Sequence, residues 1–474
     1  ASDALSVAAA AALTGAGVTG YTVTDTYTNV QAVQGTATLT DAAANSVTAT
    51  GVTGNISAAA VGGIDKLELA NAANATVTEA QYELISAATG TNTVTLSADT
   101  TGLDIFNDIE TTSLAASGTS VYTISTTSAA DVDVTGAATT VQQATIGGTY
   151  TGTITEAAAT STLTLLAGAD ISGATMDFDM DDVTFTSGGT FTLTVAQDYD
   201  TGAFDGTITA AGTETINIAD AGTFVAFDAV EVYNAAAGGN VLDADADTTT
   251  FTGGAGVDHL QGTVAIISDI TFTGADGVDI VTFDAAETIT AAALANISGV
   301  ETVNFGQVAN AANAITLVDG IVNIDVDTTN GDITITGTNA QFDALATITD
   351  ANAAGTNLTF SDTASIDLSS SELAIDSLDL DVISLTGNGN SITIDATNIG
   401  DIDSDVVAAG TGDTLVLEDT STVTDDIFNA FEVLTAGTGN INITDAGLDV
   451  ARTINGSAGN NAIILNGVAA AKSV

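Results

Sequence analysis

The sequence predicts an all-β chain coiled into an irregular parallel β-solenoid, of the β-helix or β-roll kind, with short helical corners. Three observations carry this expectation. Apolar residues alternate with Thr, Ser or Asn in short runs between Gly, Asn and Asp turns; proline is absent from all 474 residues; and aromatics make up only 5 % of the chain, so the core must be built from small side chains.

The strands are read from TNTVTLSA (91–98), DVTFTSGGTFTLTV (182–195), GDITITG (331–337), NSITIDA (390–396) and GNINIT (439–444). Period-two alternation places one face of each against a core and the other toward solvent. A chain without proline keeps every backbone donor that a strand ladder requires. A thin core of small residues suits stacked coils better than one thick globular centre.

The helical corners are expected in a segment that recurs before a strand, as in LDIFNDIETTSL (103–114), FVAFDAVEVYN (224–234), ALANISGVETVNF (293–305) and DDIFNAFEVLTA (425–436). Each contains a hydrophobic residue followed by Glu: Ile109-Glu110, Val230-Glu231, Val300-Glu301, Phe431-Glu432. IDKLEL (64–69), TETINI (213–218) and IDSLDL (375–380) are relatives without the lead-in. They read as an irregular internal repeat, one helical or 3₁₀ corner feeding one core strand. The expected division is an irregular solenoid over 1–252 and a second solenoid region over 253–474, and the two also read as one continuous domain. Tandem β-sandwiches are the alternative, but the tryptophan and the regular spacing of immunoglobulin-like domains are missing.

Charge narrows the function. Lys66, Arg452 and Lys472 are the only basic residues besides one histidine, against 60 Asp and Glu, for a net charge of -57. Phosphate binding requires clustered Lys and Arg, so nucleic acid is excluded, and anionic membrane surfaces with it. The apolar run from Val7 to Leu13 is too short to span a bilayer. No lysine-bearing signal segment precedes it, which points to a removed leader or another export route. Repulsion among the carboxylates must be relieved by bound cations or salt.

A cation site is expected in TGGAGVDHLQG (252–262), which contains the nonapeptide G-G-x-G-x-D-x-L-x in Gly253, Gly254, Gly256, Asp258 and Leu260. In such a turn, glycines permit tight conformations, carbonyls face the metal and the Asp supplies charge. Twenty-one residues on, in GADGVDIVTF, Gly274, Gly277, Asp279 and Val281 occupy the matching positions, with Asp276 as an added carboxylate. Two nonapeptides make one coil of about 18 residues, so the two turns are expected to stack with a short insertion. Upstream, Asp243, Asp245 and Asp247 alternate and are expected on one face of an extended segment. Metal ligation is therefore assigned to Gly254, Gly256, Asp258, Asp276, Gly277, Asp279, Asp243, Asp245 and Asp247, with calcium as the ion. The clusters DFDMDD (177–182) and DIDSD (401–405) and a degraded GSAGNNAIIL (456–465) are lesser candidates. In a chain with 48 glycines such fragments also arise by chance, and Asp pairs on strands also serve as solvated faces.

Catalysis finds little support. His259 is the single histidine, expected to be an exposed bystander, and no zinc-type ligand set exists. Paired carboxylates can hydrolyse glycans, but a chain with no Trp lacks the usual sugar platform.

The two glycine-rich turns, the strands of the Glu-Thr-Val-Asn-Phe type, the Ala/Thr/Gly/Asp bias and the lack of cysteine together resemble the RTX-type, type I-secreted surface-layer proteins and large adhesins of Gram-negative bacteria. The motif itself covers about 253–282, and the chain departs from the family in having no long tandem array. The resemblance implies export as an unfolded acidic chain, folding outside the cell on calcium, and assembly into a sheet or fibre.

The expected function is thus an extracellular structural protein at a bacterial cell surface, self-assembling with copies of itself into a surface layer or filament, with calcium tightening turns or contacts. ASDALSVAAAAALTG (1–15) and TINGSAGNNAIILNG (453–467) are candidate end contacts. The alternatives are an adhesin or matrix protein that binds cell-surface polysaccharide and, more remotely, a polysaccharide-active enzyme.

Overall fold

The computed structural model describes residues 22–34, 46–60, 62–88, 90–105, 109, 111–114, 119–124, 133–135, 141–155, 160–177, 180–198, 204–236, 239–284, 288–305, 313–326, 333–350, 355–363, 365–367, 380–394, 406–408, 411–418, 421–424, 431, 433–436, 441–444, 453–456 and 463–466. The chain divides into two compact units, residues 1–220 with 224–234 and residues 221–223 with 235–474.

In the first unit one stack runs through Asn74–Val77, Thr93–Leu96, Thr111–Ser113, Asp133–Thr135, Thr153–Thr155 and Thr175–Asp177, each strand parallel to the next. Another runs through Thr119–Ile124, Val141–Ile146, Ser161–Leu165 and Met180–Phe185. In the second unit Asn240–Asp243, His259–Gly262, Ile280–Phe283, Thr302–Phe305, Asn323–Val326 and Thr347–Asp350 stack in the same way. The chain is an all-β parallel solenoid. Among the described residues every strand pairing is parallel, which excludes β-sandwiches, since these are built of antiparallel sheets.

The alternation seen in the sequence explains why coils stack in register. Ser161–Leu165 is buried at its first, third and fifth residues and half-buried between them. A one-residue slip would turn the apolar set to solvent, so burial itself sets the register. The result is columns of like residues, each one strand spacing of about 4.8 Å from the next. Leu242, Leu260, Val281, Val303, Ile324 and Ile348 form one such buried column. Phe251 and Phe272, also in register, stack with ring centroids 5.0 Å apart. Each such side chain contributes about 1.5–3 kcal/mol on burial. The opposite faces carry Thr, Ser and Asn, whose branched or short side chains suit an exposed strand.

Helical corners exist, but they sit elsewhere than expected. Phe224–Val230 and Ala293–Asn296 are strand and turn, and the helical parts of 103–114 and 425–436 lie outside the described residues. Besides an eight-residue helix at Tyr27–Gln34, the corners are Glu79–Tyr82, Val264–Ile267 and Asn339–Ala344, with a 3₁₀ turn at Val195–Gln197. Three of these are opened by a Thr-x-x-Gln capping box: Thr78 with Gln81, Thr194 with Gln197, Thr338 with Gln341. The box satisfies helix donors that have no partner within the helix, which allows so short a turn to persist. Gln81 and Gln197 also donate through Nε2 to carbonyls of an earlier coil, Ile56 O at 2.8 Å and Ile171 O at 2.9 Å. Among the described residues no helix is long and apolar enough to cross a membrane.

Candidate functional site

The two glycine-rich turns stack, as their 21-residue interval suggests. Thr250–Thr252 pairs with Thr271–Thr273, Ala255 bridges Asp276 in parallel, and His259–Gly262 pairs with Ile280–Phe283. The glycines are needed for space. None of Gly253, Gly254, Gly256, Gly274 and Gly277 is at positive φ. A Cβ on Gly277 would fall 1.9 Å from Gly256 O, and one on Gly253 would fall 2.7 Å from Asp258 Oδ2.

That second distance reflects where the motif carboxylates point. Asp258 and Asp279 are both 0 % exposed. Asp258 Oδ1 accepts the N–H of Asn240, 18 residues earlier, at 2.7 Å, and Oδ2 accepts the N–H of Gly254 at 2.6 Å. Asp279 Oδ1 accepts the N–H of Asp258 at 2.8 Å, and Oδ2 accepts that of Ala275 at 3.2 Å. Each carboxylate thus fastens its own turn and reaches back to the coil before. Glu301 continues the series, its Oε2 accepting the Asp279 N–H at 2.9 Å. Burial pushes the Asp279 carboxyl up; the N–H of Asp258 opposes this, and the charges of Asp258 and Glu301 add to it.

Glu301 belongs to the hydrophobic-Glu repeat, so the motif aspartates and the repeat glutamates occupy one structural position, the residue just before a core strand. Other copies behave alike in the first unit. Glu231 Oε2 accepts the Glu214 N–H at 3.1 Å, Glu214 Oε1 accepts that of Gly188 at 2.9 Å, and Asp65 Oδ2 accepts that of Val47 at 2.7 Å. Asn92 and Asp413 do the same for Ala73 and Asn390, both at 2.8 Å. The position demands an oxygen acceptor aimed one coil back, and Asp, Glu and Asn all supply it. Glu110, Glu432 and the copy at 375–379 lie outside the described residues.

The remaining candidates are dispersed. The segment 243–247 is not extended: Asp243 closes a strand, and Asp245 Oδ1 organises a bend by accepting the N–H groups of Asp247 at 3.1 Å and Thr248 at 2.9 Å and the Thr248 hydroxyl at 2.8 Å. That side-chain turn competes with strand geometry and wins. Burial raises the Asp245 carboxyl against those hydrogen bonds. Asp247 and Asp276 face solvent. Asp181 caps Ser161, accepting its N–H at 2.7 Å; residues 401–405 and Asn461 lie outside the described residues. His259 is half-buried instead of exposed, its Nε2 hydrogen-bonded to the Thr282 hydroxyl, and burial lowers its pKa.

A calcium ion takes six to eight oxygen ligands. Carboxylates beside turn carbonyls are the right donor chemistry, and here each oxygen of Asp258 and Asp279 already accepts one backbone amide. Among the described residues no three His, Asp or Glu side chains are grouped to hold a metal ion. Comparison of the chain with protein-family models, with curated proteins and with solved structures returned no match.

Proposed function

We propose that this protein is an extracellular structural protein that self-assembles into a surface layer or filament at a bacterial cell surface. The observation that carries the reading is the parallel stacking of coils. Each strand offers the next the same row of donors and acceptors, so the ladder of one chain has the geometry to continue into another. An unpaired strand edge is a ready template for another chain.

Calcium has a place in this reading at the contacts. Copies carrying -57 each repel, and a divalent ion held by outward carboxylates such as Asp247 and Asp276 would join them. Cell-surface polysaccharide is the candidate anchor.

Negative-stain microscopy and light scattering of the full chain, with calcium and with excess chelator, test the proposal. Ordered polymers that form in calcium and disperse in chelator are expected. Polymers equally intact in chelator would remove calcium from the account. A monomer under all conditions, with saturable affinity for polysaccharide, would replace assembly with the adhesin alternative.

A further inference from the structure

Asp258 and Asp279 each receive two backbone N–H donors, but Glu214, at the same position of the first unit and also 0 % exposed, receives one. Glu214 Oε1 accepts the Gly188 N–H at 2.9 Å, and Oε2 has no hydrogen-bond partner. The turn that Glu214 caps contains a second buried oxygen without a partner, Thr186 Oγ1. That turn is closed by the Gly189 N–H on Thr186 O at 3.2 Å. One coil further on, Glu231 brings another carboxylate, its Oε2 accepting the Glu214 N–H at 3.1 Å. The bare Cα of Gly212 leaves room for the Glu214 carboxylate against this turn: a Cβ there would meet Ser187 Oγ at 2.8 Å, Gly188 N at 3.3 Å and Glu214 Oε1 at 3.5 Å.

A buried carboxylate short of a donor is costly unless something neutralises it. A protein cation is not at hand in a chain with three basic residues. A hard cation suits a corner that holds both kinds of oxygen without partners, because it binds carboxylate and hydroxyl oxygens without needing hydrogen-bond directionality and completes its shell with carbonyls and water.

We propose that Glu214, Glu231 and Thr186 bind a divalent cation of the calcium type between coils of the first unit, at a site separate from the glycine-rich turns. Where Asp258 and Asp279 use amides to hold coil to coil, this corner uses an ion.

The test is calorimetric titration of calcium alone into dispersed full-length protein, with terbium luminescence as a second readout. A binding event is expected that Glu214→Gln abolishes, that Glu231→Gln and Thr186→Val weaken roughly tenfold or more, and that survives in the Asp258→Asn, Asp279→Asn double variant. Thr186→Val is nearly isosteric and caps no amide, so it reports even if Glu214→Gln folds poorly. Unchanged stoichiometry and affinity in Thr186→Val and Glu231→Gln, or an event lost only in the Asp258/Asp279 double variant, would overturn the site. Binding is read on unassembled protein, so it stands or falls independently of whether the chain polymerises.

Discussion

Asp279 holds the backbone N–H of Asp258 at 2.8 Å, and Asp258 in turn holds that of Asn240 at 2.7 Å, so two side chains tie three successive coils through a buried line of hydrogen bonds. The line continues to Glu301, which accepts from Asp279. Residues that a local motif would assign to metal chemistry serve here as acceptors for the coil before.

Asp279→Ala leaves the N–H groups of Asp258 and Ala275 buried without acceptors. A buried donor left unsatisfied costs about 1–3 kcal/mol, so a loss of roughly 2–4 kcal/mol is expected in urea unfolding. The loss should be the same in calcium and in chelator. A variant that matches wild type in chelator and lags only in calcium would return Asp279 to metal ligation.

Burial raises the carboxyls of Asp279, Asp245 and Asp284 above their ordinary value of 3.8. Such a group binds its proton more readily in the folded chain, so its contribution to stability is complete below the unfolded value and is lost as pH rises through the folded one. Thermal midpoints at constant ionic strength should therefore fall from about pH 4 upward over the carboxylate range, and Asp245→Asn should flatten that slope. A midpoint that climbs across this range, equally in both proteins, contradicts the assignment.

His259 is the chain's single histidine, so its ring gives one titrating signal in proton NMR. Its midpoint is expected below 6.5, because burial disfavours the charged ring. Its linkage is opposite to that of the raised carboxyls: stability is present above the unfolded value and is lost as pH falls through the folded one. A midpoint at or above 6.5 would show the ring to be solvated.

Gly277→Ala adds one methyl group, yet the new Cβ would lie 1.9 Å from Gly256 O. Prising the stacked turns apart should cost about 1–3 kcal/mol, within reach of Leu260→Ala, which empties a buried site at about 2–5 kcal/mol. Comparison of the two by denaturant midpoint checks this; a Gly277→Ala protein as stable as wild type would mean that the turns are not in contact.

Some of this was legible in the residues. The runs TLTV and TITG, with no proline anywhere, announce half-buried strands, and the matched GxxGxD turns disclose two stacked turns 21 residues apart. The Thr-x-x-Gln boxes at 78, 194 and 338 are equally visible as helix starts, whereas the hydrophobic-Glu segments mimic a helical turn because their apolar spacing also satisfies one. Alternation at 243–247 suggested an extended face, but Asp245 is followed by Thr248, and a short polar side chain that can bond the backbone two and three residues on bends the chain.

By itself, then, the sequence determined the strands, their inward faces, the thin acidic solenoid and the positions where turns recur, because those depend on the period of neighbouring residues. Only the tertiary structure decided what the carboxylates do. Asp258 meets Asn240, Asp279 meets Asp258 and Glu214 meets Gly188 across 18, 21 and 26 residues. Partners at such distances are set by how one coil lands on the last, and how many N–H groups that landing brings within reach decides how fully the backbone satisfies the same Asp or Glu.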